Sequence, residues 1–245
     1  MKNLSFICLL FIFSINQTFS QSKTSDINQD IFNSIERHSS NLINISDEIW
    51  NLAETAFNEH KSSKILADYA TENGFSVEMG VADMPTAFVA TYGKGNPVIS
   101  VLGEFDALPG ISQETKPTKS PLVEGGAGHG CGHNLFGAGS LGAAIAIKEL
   151  IESGKISGTV KFFGTPSEEK YFGKIWMVKE GLWDDVDVNI SWHPAAQTEA
   201  DVQSSLALID FKIEFFGQAA HASMDPWNGR SCLLYTSPSP RDVEE

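Results

Sequence analysis

The stretch GTVKFFGTPSEEKYFGKIWMVKEGLWDDVDVNISWHP, Gly158 to Pro194, reads as strand, helix, strand. GTVKFFGTP is short, rich in aromatic and β-branched residues, and bounded by Gly and Pro. Lys170 to Glu180 reads as a helix, and VDVNISWHP returns to a strand. Strands alternating with helices argue an α/β protein with a largely parallel sheet. The same grammar extends upstream. TAFVATYG and PVISVLGEF are two further β-rich runs, separated by Gly93, Gly95 and Pro97, and they are expected to be neighbouring strands. Residues 27–56 repeat Ile31, Ile35, Leu42, Ile45, Ile49 and Leu52 at mostly helical spacings. A second helix is expected over 62–73, closed by Asn73-Gly74, and a third over 135–153, ending at Gly154. The small residues in its GAGSLGAAIA start imply close packing against a neighbour. From Leu206 the pattern changes: LALIDFKIEFFG reads as one long strand, followed by the loop QAAHASMDP, and is taken as the start of a second, smaller domain.

Length and charge narrow the function. The chain has 245 residues, 42% of them hydrophobic, enough for one large domain or two small ones. Its net charge is −14 with no Lys/Arg cluster, which argues against binding nucleic acid or an anionic membrane through a basic patch. The start, MKNLSFICLLFIFSINQTFSQSK, has a basic Lys2, a short apolar run and small residues before Gln21. It reads as a signal peptide over residues 1–20. The mature protein is then exported, to a periplasm or outside the cell, with no membrane attachment after cleavage. Cys8 leaves with this segment. Cys232 lies in a tail, 232–245, whose CLLYTSPSPRD resembles the in-frame translation of a sequencing adapter. The natural sequence is therefore expected to stop near Ser231, as the N-terminal part of something longer. Cys131 is left alone, so it forms no internal disulfide.

Open α/β sheets gather function beyond the carboxyl ends of their strands. Asp106 follows one strand, Glu168 and Glu169 follow another, and His193 ends a third. Cys131 and His133 lie in GGAGHGCGHNLFGAGS, Gly125 to Ser140, at the end of a long polar loop from Pro109 to Gly130. Taken singly, each is ordinary: a buried turn, a solvated glutamate pair, a capping aspartate, a histidine closing a strand. Together they are thiolate, imidazole and carboxylate groups on one sheet edge, a set that suits a borderline-soft ion such as zinc. One glutamate of the pair can bind metal while the other takes a proton from water as general base. Two other readings stay open. Cys131 can be a nucleophile with His129 or His133 as its base, which leaves the glutamates and His193 unused. Or the site is a non-catalytic metal-binding or substrate-binding one.

GEFDALPGISQ, GHGCGHNLFG, GTPSEEKYFGK, ISWHPA and GQAAHAS occur in this order between Gly103 and Ser223, within a likeness that runs from about residue 30 to Ser231. This resembles the amidohydrolase branch of the dinuclear zinc aminoacylase and carboxypeptidase family, on the side of the aminobenzoyl-glutamate hydrolase group. The resemblance implies a mixed, mostly parallel sheet flanked by helices over 21–202. It implies the start of an inserted α+β lid or dimerisation domain over 203–231. It implies Cys131, His133, Glu169 and His193 as ligands of two divalent ions, zinc first and manganese second. Glu168 would be the general base, Asp106 would orient the ligands, and His221 would act from the lid on the substrate. The implied activity is hydrolysis of the amide in an N-acyl or N-aroyl amino acid or small peptide, by a homodimer joined through the lid. Asn134 stands where many relatives have Asp, and His129 has no implied role. The rest of the lid and a further histidine ligand belong beyond Ser231, so this segment alone is expected to be inactive.

Overall fold

A computed structural model describes the backbone of residues 2–200, 204, 206–209 and 211–231, with side chains from residue 26 onward in those ranges. The expected signal segment falls where side chains are not described, and the adapter-like tail lies outside the described residues. The chain divides into two compact units, 1–196 and 197–245.

The first unit is built on a five-stranded sheet. Its strands are β1 (Ser76–Met79), β2 (Phe88–Lys94), β3 (Val98–Glu104), β4 (Gly158–Thr165) and β5 (Val188–Ile190), in the order β1-β2-β4-β3-β5. β3 runs parallel to both β4 and β5, whereas β2 is antiparallel to β1 and to β4, so the sheet is mixed. The runs expected to be neighbours, β2 and β3, are not: β4 lies between them. β4 buries Val160, Phe162 and Phe163 completely, and a strand apolar on both faces belongs where both faces are covered. Gly164 makes the insertion fit. It pairs with Phe88, and a Cβ there would sit 2.1 Å from the Phe88 ring.

Helix α1 (Lys2–Leu52) presents Leu42, Ile45 and Ile49 to the core, as its periodicity predicts. Helix α2 (His60–Glu72) adds Leu66, Ala67 and Ala70. Helix α3 (His133–Glu152) buries Phe136, Leu141, Ala144 and Ile145. Its small residues pack as the sequence implies. A Cβ on Gly142 would come within 2.6 Å of Leu42, and one on Gly137 within 2.7 Å of the Glu104 carbonyl. That second contact presses the start of α3 against the end of β3. The expected helix 170–180 is two pieces, α4 (Glu168–Tyr171) and α5 (Gly173–Lys179). They break at Phe172, which is left-handed with φ 54°, because Gly173 turns in so tightly that a Cβ would lie 2.1 Å from the Pro166 carbonyl.

In the second unit the expected strand over 206–217 is not formed among the described residues. The alternation is there, but an extended segment becomes a strand only with a hydrogen-bonded neighbour, and no described segment pairs with it. The described order in that unit is a bridge between Gln218 and Arg230 around a short 3₁₀ turn, Pro226–Asn228.

Candidate metal centre

Because β4 and β5 run parallel to β3, the carboxyl ends of all three open on one sheet edge. The chain leaves β3 through Glu104, Phe105 and Asp106, leaves β4 towards Ser167, Glu168 and Glu169, and reaches His193 just after β5. The Gly132 turn (φ 79°) then delivers His133 to the same edge as the first residue of α3. Trp192 ties down the β5 exit: its indole N–H donates to Ser140 Oγ at 3.0 Å, and its ring lies across Phe136.

His133 is the centre of the arrangement and is fully buried. Its Nδ1 lies 2.9 Å from Asp106 Oδ1 and 3.1 Å from the Asp106 carbonyl oxygen. A carbonyl only accepts, so Nδ1 carries the proton and Nε2 is left to point the other way. Nε2 faces Glu104 Oε2 at 2.8 Å, and Glu168 Oε2 and Glu169 Oε1 at 3.9 Å each. Glu104 Oε2 lies off the direction of a hydrogen bond. His133 Nε2, Glu104 Oε2 and Glu169 Oε1 are thus three buried polar atoms without hydrogen-bond partners, gathered around one point. On the open side, Cys131 Sγ lies 3.5 Å from His193 Nε2. Donor atoms of Cys131, His133 and His193 fall within 4.8 Å of one another, as do those of Glu104, His133 and Glu168. Buried nitrogen and oxygen donors without partners, with the Cys131 sulfur beside them, are what a divalent cation satisfies, so the residues fit a metal site.

The charges agree. Burial alone pushes His133 down, but the carboxylates of Asp106 and Glu104 overcome it and push it up to about 11. Burial raises the Glu104 carboxyl, and the His133 contact and the Lys174 ammonium more than reverse this, lowering it overall. Burial, then the Glu104 charge, raises Glu168. Burial raises the Cys131 thiol. The site therefore holds onto a positive charge, whether a proton or a metal ion.

The structure thus brings together Asp106, Cys131, His133, Glu168, Glu169 and His193. His221 lies in the second unit and is exposed there, its Nδ1 accepting from the Ser223 N–H at 3.4 Å. Asn134 is turned to α1, donating to Ser46 Oγ at 2.9 Å. His129 also faces α1: its Nε2 donates to the Ile49 carbonyl at 3.1 Å, and burial lowers it to about 4. Its Nδ1 is buried without a hydrogen-bond partner, and Cys131 Sγ lies against His193 instead. Glu104 was not expected at the site. Its signal is its position two residues before Asp106 at a strand end, the spacing that puts both side chains on one face.

A sequence profile of Peptidase family M20/M25/M40 matches residues 101–229, more than half of the chain. The chain belongs to this family. This M20/M25/M40 chain is 43% identical over 211 residues to one of the p-aminobenzoyl-glutamate hydrolase subunits of Escherichia coli (strain K12), a match covering 85% of the chain and 44% of the relative. It is 29% identical over 205 residues to the Xaa-Arg dipeptidase of Homo sapiens, covering 77% and 43%. The chain therefore spans less than half the length of these curated relatives. Among solved structures, a dinuclear metal binding peptidase from M20 family of Bacillus subtilis superposes with a TM-score of 0.54 at 25% identity, covering 63% of the chain and 42% of that structure. A putative aminohydrolase from methicillin-resistant Staphylococcus aureus gives 0.57 at 26% identity, covering 67% and 42%.

Proposed function

We propose that the whole protein is a metal-dependent amidohydrolase, cleaving the amide bond of an N-acyl or N-aroyl amino acid of the aminobenzoyl-glutamate kind, or of a small peptide. The observation that carries it is the set of unpartnered buried atoms on His133, Glu104 and Glu169, facing one another beside Cys131, His193 and the half-buried Glu168. The names of the curated relatives, hydrolases acting on amide bonds, support the reaction class.

Cys131, His133, Glu169 and His193 would hold two divalent ions, zinc or manganese, and Glu104 is placed to share in this. Such ions supply Lewis-acid charge, which makes water a stronger acid and a carbonyl carbon more electrophilic. Asp106 holds the His133 proton on Nδ1, keeping Nε2 free as a ligand. Glu168 accepts a proton from water as the water oxygen bonds to the amide carbon. The raised pKa of its carboxyl suits that exchange. As the C–N bond breaks, Glu168 returns the proton to the departing nitrogen, so the carboxylate is regenerated. His221, from a lid beginning near residue 203, would contact the substrate's carbonyl oxygen or carboxylate. A homodimer joined through that lid, and export directed by residues 1–20, complete the proposal.

The test uses the full-length protein. N-(4-aminobenzoyl)-glutamate and a panel of acyl amino acids are offered to the wild type, to a chelated sample and to Glu168→Gln. Chelation should abolish turnover, and zinc or manganese should restore it. Glu168→Gln should keep its metal and lose turnover by about 10²–10⁴-fold, the scale of a positioned general base. Hydrolysis that survives chelation would replace this reading with the Cys131 thiol one.

A further inference from the structure

Glu59 is buried without any exposure, and that burial raises its carboxyl to about 7. It stands at the N-cap position of α2, and its side chain makes no cap bond there. Instead it crosses the unit to the β4 exit. Its Oε1 accepts the Ser167 N–H at 2.9 Å, and its Oε2 accepts the Thr86 hydroxyl at 3.4 Å.

What it holds is unusual backbone. Ser167 is left-handed, φ 56° and ψ 42°, a conformation that costs a non-glycine residue and persists only where its surroundings impose it. Ser167 is itself fully buried and immediately precedes Glu168 and Glu169. The turn has a second anchor on its other side, since the Glu169 N–H donates to Asp106 Oδ2 at 2.9 Å. Two buried carboxylates from distant parts of the chain therefore grip nearby amides of one strained turn. Asp106 at the same time orients His133.

We propose that Glu59 is a positioning residue of the metal centre: through the Ser167 amide it fixes the turn that aims Glu168 and Glu169 at His133. The side chain never reaches the reacting groups. It acts by withholding other conformations from the turn, so that both glutamates are in place before a cation arrives. The inference rests on the amidohydrolase reading only for what those two glutamates do chemically.

The experiment compares wild type, Glu59→Ala and Glu59→Gln in the 245-residue chain. Hydrogen exchange of the metal-free protein is read over the amides of residues 167–172. In Glu59→Ala these amides should exchange about tenfold faster, the consequence of leaving a buried N–H without its acceptor. The β3 and β4 amides should be unchanged. Glu59→Gln keeps an oxygen at the same place and should stay within about twofold of wild type. If Glu59→Ala does not fold, Glu59→Asp, one methylene too short to reach Ser167, takes its place with the same expectation. The second readout is cobalt(II) affinity and its visible spectrum. Affinity should fall about tenfold with Ala or Asp and recover with Gln, the scale of a lost supporting contact. Unchanged exchange over 167–172 overturns the proposal. So does a lower melting temperature with wild-type exchange and cobalt affinity, which would mark a merely structural glutamate. A full-length protein that hydrolyses no amide would sink the amidohydrolase reading and leave the exchange result standing.

Discussion

Asp106→Asn is the sharpest perturbation of the metal centre, because one buried carboxylate serves two donors. Oδ1 takes the His133 Nδ1–H and Oδ2 the Glu169 N–H, both at 2.9 Å. Asparagine has one acceptor oxygen and one donor nitrogen in the same outline. Whichever way it turns, its NH₂ group meets one of those donors. One charge-assisted bond is lost, worth about 1.5–3 kcal/mol. That range corresponds to roughly 10–100-fold in affinity, the usual effect of changing a group that orients a metal ligand. Removing the charge also withdraws one of the two carboxylates that hold His133 up at about 11. Zinc or cobalt titration calorimetry at pH 7 on wild type and Asp106→Asn reads the effect, with metal-free melts to show that both fold. A dissociation constant within about twofold of wild type refutes the reasoning, since the orienting bond would then contribute nothing.

Two other perturbations test different links. Gly137→Ala puts a Cβ 2.7 Å from the Glu104 carbonyl, so α3 must lift from β3; overpacking of this kind costs about 1–3 kcal/mol, read as a lower melting temperature, and it should weaken metal binding by displacing His133. In the metal-free chain His133 is raised from 6.5 to about 11, so the stability it contributes is fully present below pH 6.5 and is lost as pH rises through about 11. Denaturant melts from pH 6 to pH 11 should show that decline, and His133→Gln should flatten it. Metal binding near pH 8 should release protons, from the His133 ring and the raised Cys131 thiol, so its heat should depend on the buffer's ionisation enthalpy.

The parts legible in the sequence were those set by local pattern. Ile45 and Ile49 announce the face of α1, and the small residues of α3 announce a close crossing that Gly137 and Gly142 make. Strand-end position was enough to gather Asp106, His133, Glu168 and His193, because parallel strands share a carboxyl edge whatever their order. Order itself was not legible. Nothing within β2 or β3 says that β4, some sixty residues later, will part them; that follows from which strand is apolar on both faces. The strand over 206–217 failed for the converse reason, since alternation marks a surface and does not supply a partner. Glu104 and Glu59 were missed differently. Glu104 was in plain view beside Asp106, whereas Glu59, in FNEHK, looks like any solvated acid until the fold brings Ser167 to it from 108 positions away.

The donors of the centre come from the ends of β3, β4 and β5 and from the start of α3, and they meet only when those elements have paired. An unfolded chain offers a cation only sequence neighbours such as Cys131–His133 or Glu168–Glu169, so a metal held at this centre would bind the native state in preference. Free metal concentration then becomes a thermostat for the fold. Raising it to a hundred times the native dissociation constant should stabilise the chain by about 2.7 kcal/mol, and each further tenfold should add about 1.4 kcal/mol. Where the bound metal is scarce, the same protein would be easier to unfold and to degrade, and its abundance would follow the metal supply.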